Sequence, residues 1–491
     1  MRKALTLLAS VLLGLLVTTV INMQRMGGVP PPVPRVDVAV DEQGAVAHLV
    51  EAVKVPTVST EDRAIDRSAF VAFHELLRRM YPLVHARLAS EVVGDLSLLY
   101  TWPGADTAAA PVVLMGHFDV VPVVPGTESR WTHDPFSGKV ADGFIWGRGT
   151  LDDKVTVIAV LDAVEHLLRH GHTPTRTIYL AFGHDEEVGG EGGAGRIAER
   201  YRQRGLARPA LVLDEGGALF EGGFPGLASP VALVGIAEKG FLSLELKVSG
   251  DGGHSSTPPG RTHIGRLARA VASLESSPFP ASIDGPTRAM FQALAPAMPF
   301  ARRLAIANLW LFEPLVARLL VSDPRIAAMM RTTTAPTIFQ AGTKSNVLPP
   351  EAKAVVNFRL GPNDTVDSVM ARVKSTIADP EIAVEPVGFR SNPSPVSDAS
   401  GAGFRHVATT VQETLGRETP LVSPYLVIGG TDARYWSDLS TQVFRFNPVP
   451  AEPDITARAH GTDERVAVAG FVAAVRFYVR LIANIEVGLG R

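Results

Sequence analysis

The chain has no cysteine, which excludes disulfides and thiolate metal sites and leaves His, Asp and Glu to hold any metal. It also lacks a charge excess: 47 Lys+Arg stand against 50 Asp+Glu. With no basic stripe, nothing in the charge pattern calls for nucleic acid. Charge is missing altogether from Ala4–Ile21, a Leu- and Val-rich run preceded by Arg2 and Lys3. That length is near the lower limit for a bilayer span and somewhat long for a signal-peptide core. No small-x-small cleavage pattern follows, so residues 1–24 read as an uncleaved signal anchor, basic end in the cytoplasm, in preference to a cleaved signal peptide. Under either reading the bulk of the chain lies outside the cytoplasm, membrane-anchored or secreted/periplasmic. Residues 25–36, with the run GGVPPPVP, read as a stiff extended linker.

At 491 residues the remainder is too long for one ordinary core, and two domains are expected. The stretch that organises it is Arg176–Gly195, RTIYLAFGHDEEVGGEGGAG. Thr177–Phe182 is β-branched, aromatic and apolar, as a buried strand should be. It runs into the pair Glu186–Glu187 and then a glycine-rich turn, which puts carboxylates at the carboxyl end of a strand, the edge where open α/β sheets place their chemistry. An isolated Glu–Glu pair is usually a solvated acidic loop; other clusters change that reading. The short apolar strand 111–115 delivers Gly116-His117-Phe118-Asp119. Residues two apart on extended chain share a face, so Asp119 can accept the second ring N–H of a metal-bound His117. Asp152-Asp153-Lys154 opens a helical pattern, Val155–Arg169, where two acids either complement the helix dipole or bridge cations. Another strand, 210–213, ends in Asp214-Glu215-Gly216-Gly217, and far downstream His460 precedes Thr462 and Asp463, a capping-type start for a helix over 465–485. His117, Asp152, Glu187, Asp214 and His460 supply five N/O ligands, enough for two divalent ions if one carboxylate is shared. Imidazole with carboxylate suits zinc, with cobalt or manganese as substitutes. Glu186, beside a ligand but left over, is free to act as a base.

GHFDVVP, GRGTLDDK, FGHDEEVGG, LDEGG and AHGTDE together resemble the five metal-site motifs of the aminoacylase/carboxypeptidase metallopeptidase family, which includes carboxypeptidase S, acetylornithine deacetylase and succinyl-diaminopimelate desuccinylase. The resemblance covers residues 37–491. It is nearest the branch of carboxypeptidase S and the N-fatty-acyl-amino-acid synthase/hydrolases, extending to NLWLFEPL, RTTTAPTIFQAG, KSNVLPPEAKAVVNFR and GGTDARYW. It implies that Asp152 bridges two Zn²⁺ per subunit, with His117 and Asp214 completing one site and Glu187 and His460 the other. It further implies that Asp119 orients His117, that Glu186 is general base and then acid, and that a cis peptide joins Asp152 to Asp153. His254 in GDGGHSSTPP matches a histidine that stabilises the oxyanion, often from a neighbouring subunit. Asn346 and Arg359 match residues that grip a substrate carboxylate, helped by Gly430, Thr431 and Asp432.

The implied architecture is α/β. Residues 37–237 and 393–491 form a discontinuous catalytic domain around a mostly parallel sheet. An inserted α+β lid over 238–392, of the dimerisation type, has strands at 240–250, 352–360 and 381–389 and helices at 261–274 and 365–377. An apolar addition, 279–336, either packs its helices on the lid sheet or, having more apolar surface than a small lid needs, offers some of it to a long acyl chain, and it leaves the family's homodimer open. The expected activity is hydrolysis of N-acyl amino acids, long-chain ones included and reversibly, or of dipeptides with a free carboxylate. The alternatives are a carboxypeptidase S-like dipeptide carboxypeptidase and, in another class, a non-catalytic membrane-tethered binding protein. Descendants of that last kind typically lose a ligand or the base, and here all are present.

Overall fold

Runs of apolar and β-branched residues set the centre of the molecule. The computed structural model describes residues 2–29, 31–60, 62, 65–222, 227–416, 418–452 and 454–490; Pro30 of the linker lies outside them. Val112–His117, Ile178–Gly183 and Leu211–Asp214 are buried at every position, as strands are when both faces of a sheet are covered. With Val443–Arg445 they make four contiguous parallel strands, in the order Ile178–Gly183, Val112–His117, Leu211–Asp214, Val443–Arg445. The flanks are antiparallel. Ser97–Trp102 and Ala89–Val93 extend one side. Val231–Glu238, with Leu421–Val427 parallel to it and Ala218–Phe220 antiparallel, extends the other. One face packs under helices Glu42–Val53, Lys154–Arg169 and Val468–Ala483 through Leu49, Val157, Val164, Phe471 and Val475. The other packs under Ala194–Gln203 and the turn Asp432–Trp436 through Ile197, Tyr201 and Trp436. Each such fully buried side chain is worth roughly 1.5–3 kcal/mol, so the ends of the parallel strands are held firmly enough to carry charge.

A second, four-stranded antiparallel sheet runs in the order Thr333–Ala341, Glu351–Leu360, Gly240–Ser249, Ala383–Ser391. Alternate residues Leu242, Leu244, Leu246, Val356 and Phe358 meet Leu267, Leu274, Val369 and Val373 of helices His263–Ser276 and Val366–Ile377 in a separate core. The Thr333–Ala341 strand was not among the expected ones. Its residues are largely exposed, and Pro336 sits at a register shift, so it carries neither alternation nor an uninterrupted apolar run.

Two expectations change. The helix over 465–485 begins later, because Arg465–Ala467 is a strand paired with Phe144–Trp146, and the helix proper is Val468–Ala483. Asp463 does not cap it: at φ 57° its carboxylate accepts from Thr132 N (2.6 Å) and Oγ1 (2.9 Å). Only the ends of the apolar addition, Phe279 against Phe358 and Thr333–Pro336, join the second sheet; its helices pack on the central one. Met290, Phe291, Leu294, Ile306, Ile326 and Met329 close over Val231 and Leu233, with Leu421 and Tyr425 alongside. Apolar periodicity says which face of a helix is buried, never against which sheet.

Candidate metal centre

Each acid and imidazole singled out above at a strand end, with its neighbours, falls at or just beyond the carboxyl edge of the parallel strands. His117 is the last residue of its strand, and Glu186 and Glu187 form a 3-10 turn after Gly183. Asp152 precedes the Lys154–Arg169 helix, its bond to Asp153 being cis as expected. The centre is Asp152: its Oδ1 lies 2.9 Å from Nε2 of His117 and its Oδ2 2.9 Å from Nε2 of His460. His460 Nε2 is also 3.1 Å from Glu187 Oε2, and His460 sits in a left-handed backbone, φ 61°. His117 Nδ1 donates to the Asp119 carbonyl oxygen at 3.0 Å, which turns Nε2 toward the cluster.

The third donor beside His117 is Glu215. Two groups have donor atoms within 4.8 Å of one another, His117–Asp152–Glu215 and Asp152–Glu187–His460. Asp214, the residue expected there, is one position short. Successive side chains of an extended chain point to opposite faces, so Asp214 turns into the sheet near the charge of Arg445 while Glu215 turns to His117.

The electrostatics are those of an over-filled carboxylate cage. Burial, with the charge of Asp152 next, pushes Glu187 up to about 7 and Glu215 up to about 8. Burial also pushes Glu186 up to about 8, Glu187 and Asp152 adding to it and His117 and Arg434 opposing. Burial acts on Asp152 too, but the two imidazoles outweigh it and hold that carboxylate well below its usual range. Buried Glu187 Oε1 has no hydrogen-bond partner among the described residues. Clustered carboxylates, two inward imidazole nitrogens and an orphaned buried oxygen are a donor set that fits divalent cations.

The supporting residues explain the placement. Asp119 accepts from Ser59 Oγ (2.7 Å) and from the backbone N–H of Glu186 (3.1 Å) and Glu187 (3.2 Å), so it fixes the acidic turn as well as His117. Glu464 Oε1 accepts from Gly149 N and Leu151 N, both at 2.9 Å, and its other oxygen pairs with Arg148; this buried pair holds the loop that carries Asp152. Ser59 carried no signal in the sequence, but Glu464 lay inside the AHGTDE motif.

On the open side, Arg434 Nη2 is 3.7 Å from Glu186 Oε1, and its guanidinium stacks on Phe389 at 4.9 Å. Arg359, expected to meet a carboxylate, lies over Phe241 at 4.6 Å. Glu186 and Arg434 lie close enough to Arg359 to act on its charge. Thr431 is gripped by buried Glu238, its N at 3.2 Å and Oγ1 at 2.8 Å. Gly430 lies so near Arg434 that a Cβ there would meet Nη1 at 2.9 Å, and at Gly190, φ +70°, a Cβ would come within 1.9 Å of Asp432 Oδ1. Arg434 was missed, although GGTDARYW contains it. His254 and Asn346 are not brought to the cluster. They share an exposed two-stranded ribbon, where Ser255 N donates to Asn346 O and His254 Nδ1 faces Ser256 Oγ.

The model of peptidase family M20/M25/M40 matches residues 113–484. The N-fatty-acyl-amino acid synthase/hydrolase PM20D1 of Xenopus tropicalis is 39% identical over 492 residues, 98% of this chain and 95% of that protein. The probable carboxypeptidase S-like 2 of Dictyostelium discoideum is 41% identical over 420 residues, 85% of this chain and 80% of that protein. Among solved structures, the M20 family metallo-carboxypeptidase Sso-CP2 from Sulfolobus solfataricus superposes with a TM-score of 0.66 at 19% identity, over 89% of this chain and 98% of that one; at that identity the likeness is one of fold.

Proposed function

The chain belongs to peptidase family M20/M25/M40 and is a metallopeptidase/amidohydrolase, and from that premise we propose that it is a di-zinc enzyme cleaving the amide bond of N-acyl amino acids, long-chain ones preferred. The observation that carries the di-metal reading is Asp152, each of whose oxygens faces a different imidazole at 2.9 Å. Asp152 would be shared between the two ions, with His117 and Glu215 holding one and Glu187 and His460 the other, Glu215 taking the place of the expected Asp214. Zinc bound there, or cobalt or manganese in its place, supplies a Lewis acid for the scissile carbonyl and a more acidic water.

Glu186 is not needed as a ligand, and its carboxylate, on the open side beside Arg434, is placed to act as a general base. It takes a proton from the attacking water as the new C–O bond forms. It returns that proton to the amide nitrogen as the C–N bond breaks, which releases the free amino acid and the acyl carboxylate. Arg359 and Arg434 take the substrate carboxylate, because a planar guanidinium offers it paired hydrogen bonds, with Gly430 and Thr431 lining the approach. Residues 37–237 and 393–491 form the catalytic domain, and 238–392 the lid. Exposed His254 and Asn346, away from the cluster, suit supply from the lid of a second copy, as in a homodimer.

The long-chain preference is supported by the apolar N-terminal helix, which keeps the enzyme near lipid, where such substrates partition. The name of the Xenopus relative, a fatty-acyl-amino acid synthase/hydrolase, points the same way; that of the Dictyostelium relative supports the dipeptide alternative. Helix Arg2–Arg25, apolar and long enough to cross a bilayer, is the anchor, with the rest extracytoplasmic. Metal analysis together with release of phenylalanine from N-oleoyl-phenylalanine tests the reading; a metal-free chain, or a metal-loaded one that binds without turnover, leaves the non-catalytic binding protein.

A further inference from the structure

Helix Leu309–Leu320 wears its apolar stripe on the outside. Leu309 is buried, but Leu311, Leu315 and Leu319, spaced by four so that they share one face, are 40, 58 and 65% exposed. Trp310 beside them is 59% exposed, and Phe300, opening the preceding helix Phe300–Ala307, is 64% exposed. The other four tryptophans of the chain, Trp102, Trp131, Trp146 and Trp436, are buried. An amphipathic helix of a water-soluble body ordinarily buries such a stripe, and a contiguous apolar face of this kind marks an interaction surface.

A second observation says what covers it. Asn308, fully buried between the two helices, spends its whole side chain on this junction. Its Nδ2 donates to Thr19 O and Leu304 O, both at 2.9 Å. Its Oδ1 accepts from Asn22 Nδ2 at 2.9 Å and from Trp310 Nε1 at 3.1 Å. Arg303 donates to the carbonyls of Met23 (3.4 Å) and Gly27, capping the last turn of helix Arg2–Arg25 as a cation should. The apolar N-terminal helix therefore emerges from the body beside the exposed stripe, and its Leu5, Leu8, Leu12 and Leu16 are themselves exposed. Charge agrees: Arg25, Arg302 and Arg318 are exposed around the patch, whereas Glu313, the acid on these two helices, is tied to Ile283 N and Arg288. A lipid bilayer covers the apolar helix and the stripe together and offers phosphates to the arginines. Tryptophan and leucine on one face with arginine at the margin suit the headgroup–acyl boundary.

We propose that the outward face of helices Phe300–Ala307 and Leu309–Leu320 is a bilayer-seating surface, lying in the outer leaflet of the membrane that helix Arg2–Arg25 enters. This rests on the anchor reading above. The seat holds the body against lipid, so that a substrate with a long acyl chain can pass to the site without crossing bulk water.

The test uses the full chain in vesicles of phosphatidylcholine and phosphatidylglycerol whose acyl chains are brominated near the headgroup. Flotation reports the anchor, and quenching of tryptophan fluorescence reports the seat. The expected result is that the chain floats and is quenched, and that Trp310→Phe removes most of the quenching, the other tryptophans being buried. Leu315→Asp with Leu319→Asp should leave flotation intact and abolish the Trp310 component. Both leucines point outward, and an unchanged thermal melt checks folding. In the unaltered chain, aqueous iodide should reach Trp310 less readily once vesicles are added. A floating chain whose quenching is the same with and without Trp310 overturns the seat and leaves the anchor standing. Protection of Trp310 that follows protein concentration instead of lipid assigns the face to a second copy and also overturns the seat. A chain that does not float overturns both.

Discussion

Oε1 of Glu215 lies 3.6 Å from Nε2 of His117, while the carboxylate of Asp214, the residue before it, accepts from the Glu215 amide at 3.0 Å. A one-residue step along an extended chain decides which acid faces the cations. Glu215→Gln should therefore empty one of the two metal sites, whereas Asp214→Asn should leave metal content unchanged. Metal analysis of the purified variants checks this; equal losses from both would return Asp214 to the ligand set.

Glu186→Gln should behave differently from Glu187→Gln. The first removes a proton carrier and should cost about 10²–10⁴-fold in kcat with both metals retained. The second removes a donor 3.1 Å from His460 and should lose metal along with activity. Single-turnover assays on metal-quantified protein separate the two, and metal loss from Glu186→Gln would exchange the two roles.

Much of this was legible because the chemistry sits where strands stop. His117, the Glu186–Glu187 turn and the Asp214–Glu215 pair each follow a run of apolar and β-branched residues, so the strand pattern and the acids point to one sheet edge. What was not legible is just as physical. Adjacent carboxylates differ only in the side of the chain they leave, and no periodicity marks that at a strand's last residue. Ser59 and Arg434 act through contacts with residues far away in sequence. The Thr333–Ala341 strand carries Pro336 and little buried surface, and the apolar addition gave no sign of which sheet it covers. His254 and Asn346 were named from resemblance, and the fold of one chain leaves them exposed.

Glu464 should matter for stability and for the site together. It is fully buried, pairs with buried Arg148 and accepts from two amides of the loop leading to Asp152. Glu464→Ala leaves Arg148 uncompensated, and breaking such a buried pair costs about 3–5 kcal/mol. Denaturant unfolding should show that loss. The variant should also bind metal more weakly than Glu464→Gln, whose amide oxygen can still accept from the loop; equal affinities in the two variants would remove the positioning role.

Stability should also fall with rising pH through His48. Its Nδ1 lies 2.6 Å from Asp162 Oδ1, with the Tyr81 ring edge-on at 5.0 Å. Burial works against the imidazolium most strongly, but Asp162, with Asp41 and Glu165, overcomes it and raises the pKa above 6.5. A raised folded value means the contribution is complete below 6.5 and disappears as pH rises through the folded value. Asp162 is itself raised by burial, so its contribution has the same sign but starts to fade from about 3.8, its ordinary value. The Tm should drop between about pH 6 and about pH 8, the range in which a perturbed histidine titrates. His48→Gln should flatten that part of the profile; an unchanged slope in the variant would assign it to other groups.

The acyl chain provides the last prediction. A Xenopus relative covering 98% of this chain is named for fatty-acyl amino acids, so chain length is the variable to test. Each buried methylene is worth about 0.8 kcal/mol, so three extra ones favour a substrate by roughly 60-fold. On that scale kcat/KM should climb steeply from N-acetyl- to N-octanoyl- to N-oleoyl-phenylalanine, compared below their aggregation limits. A response indifferent to chain length, or a clear preference for a Gly-Leu-type dipeptide, would leave the same metal centre serving a carboxypeptidase.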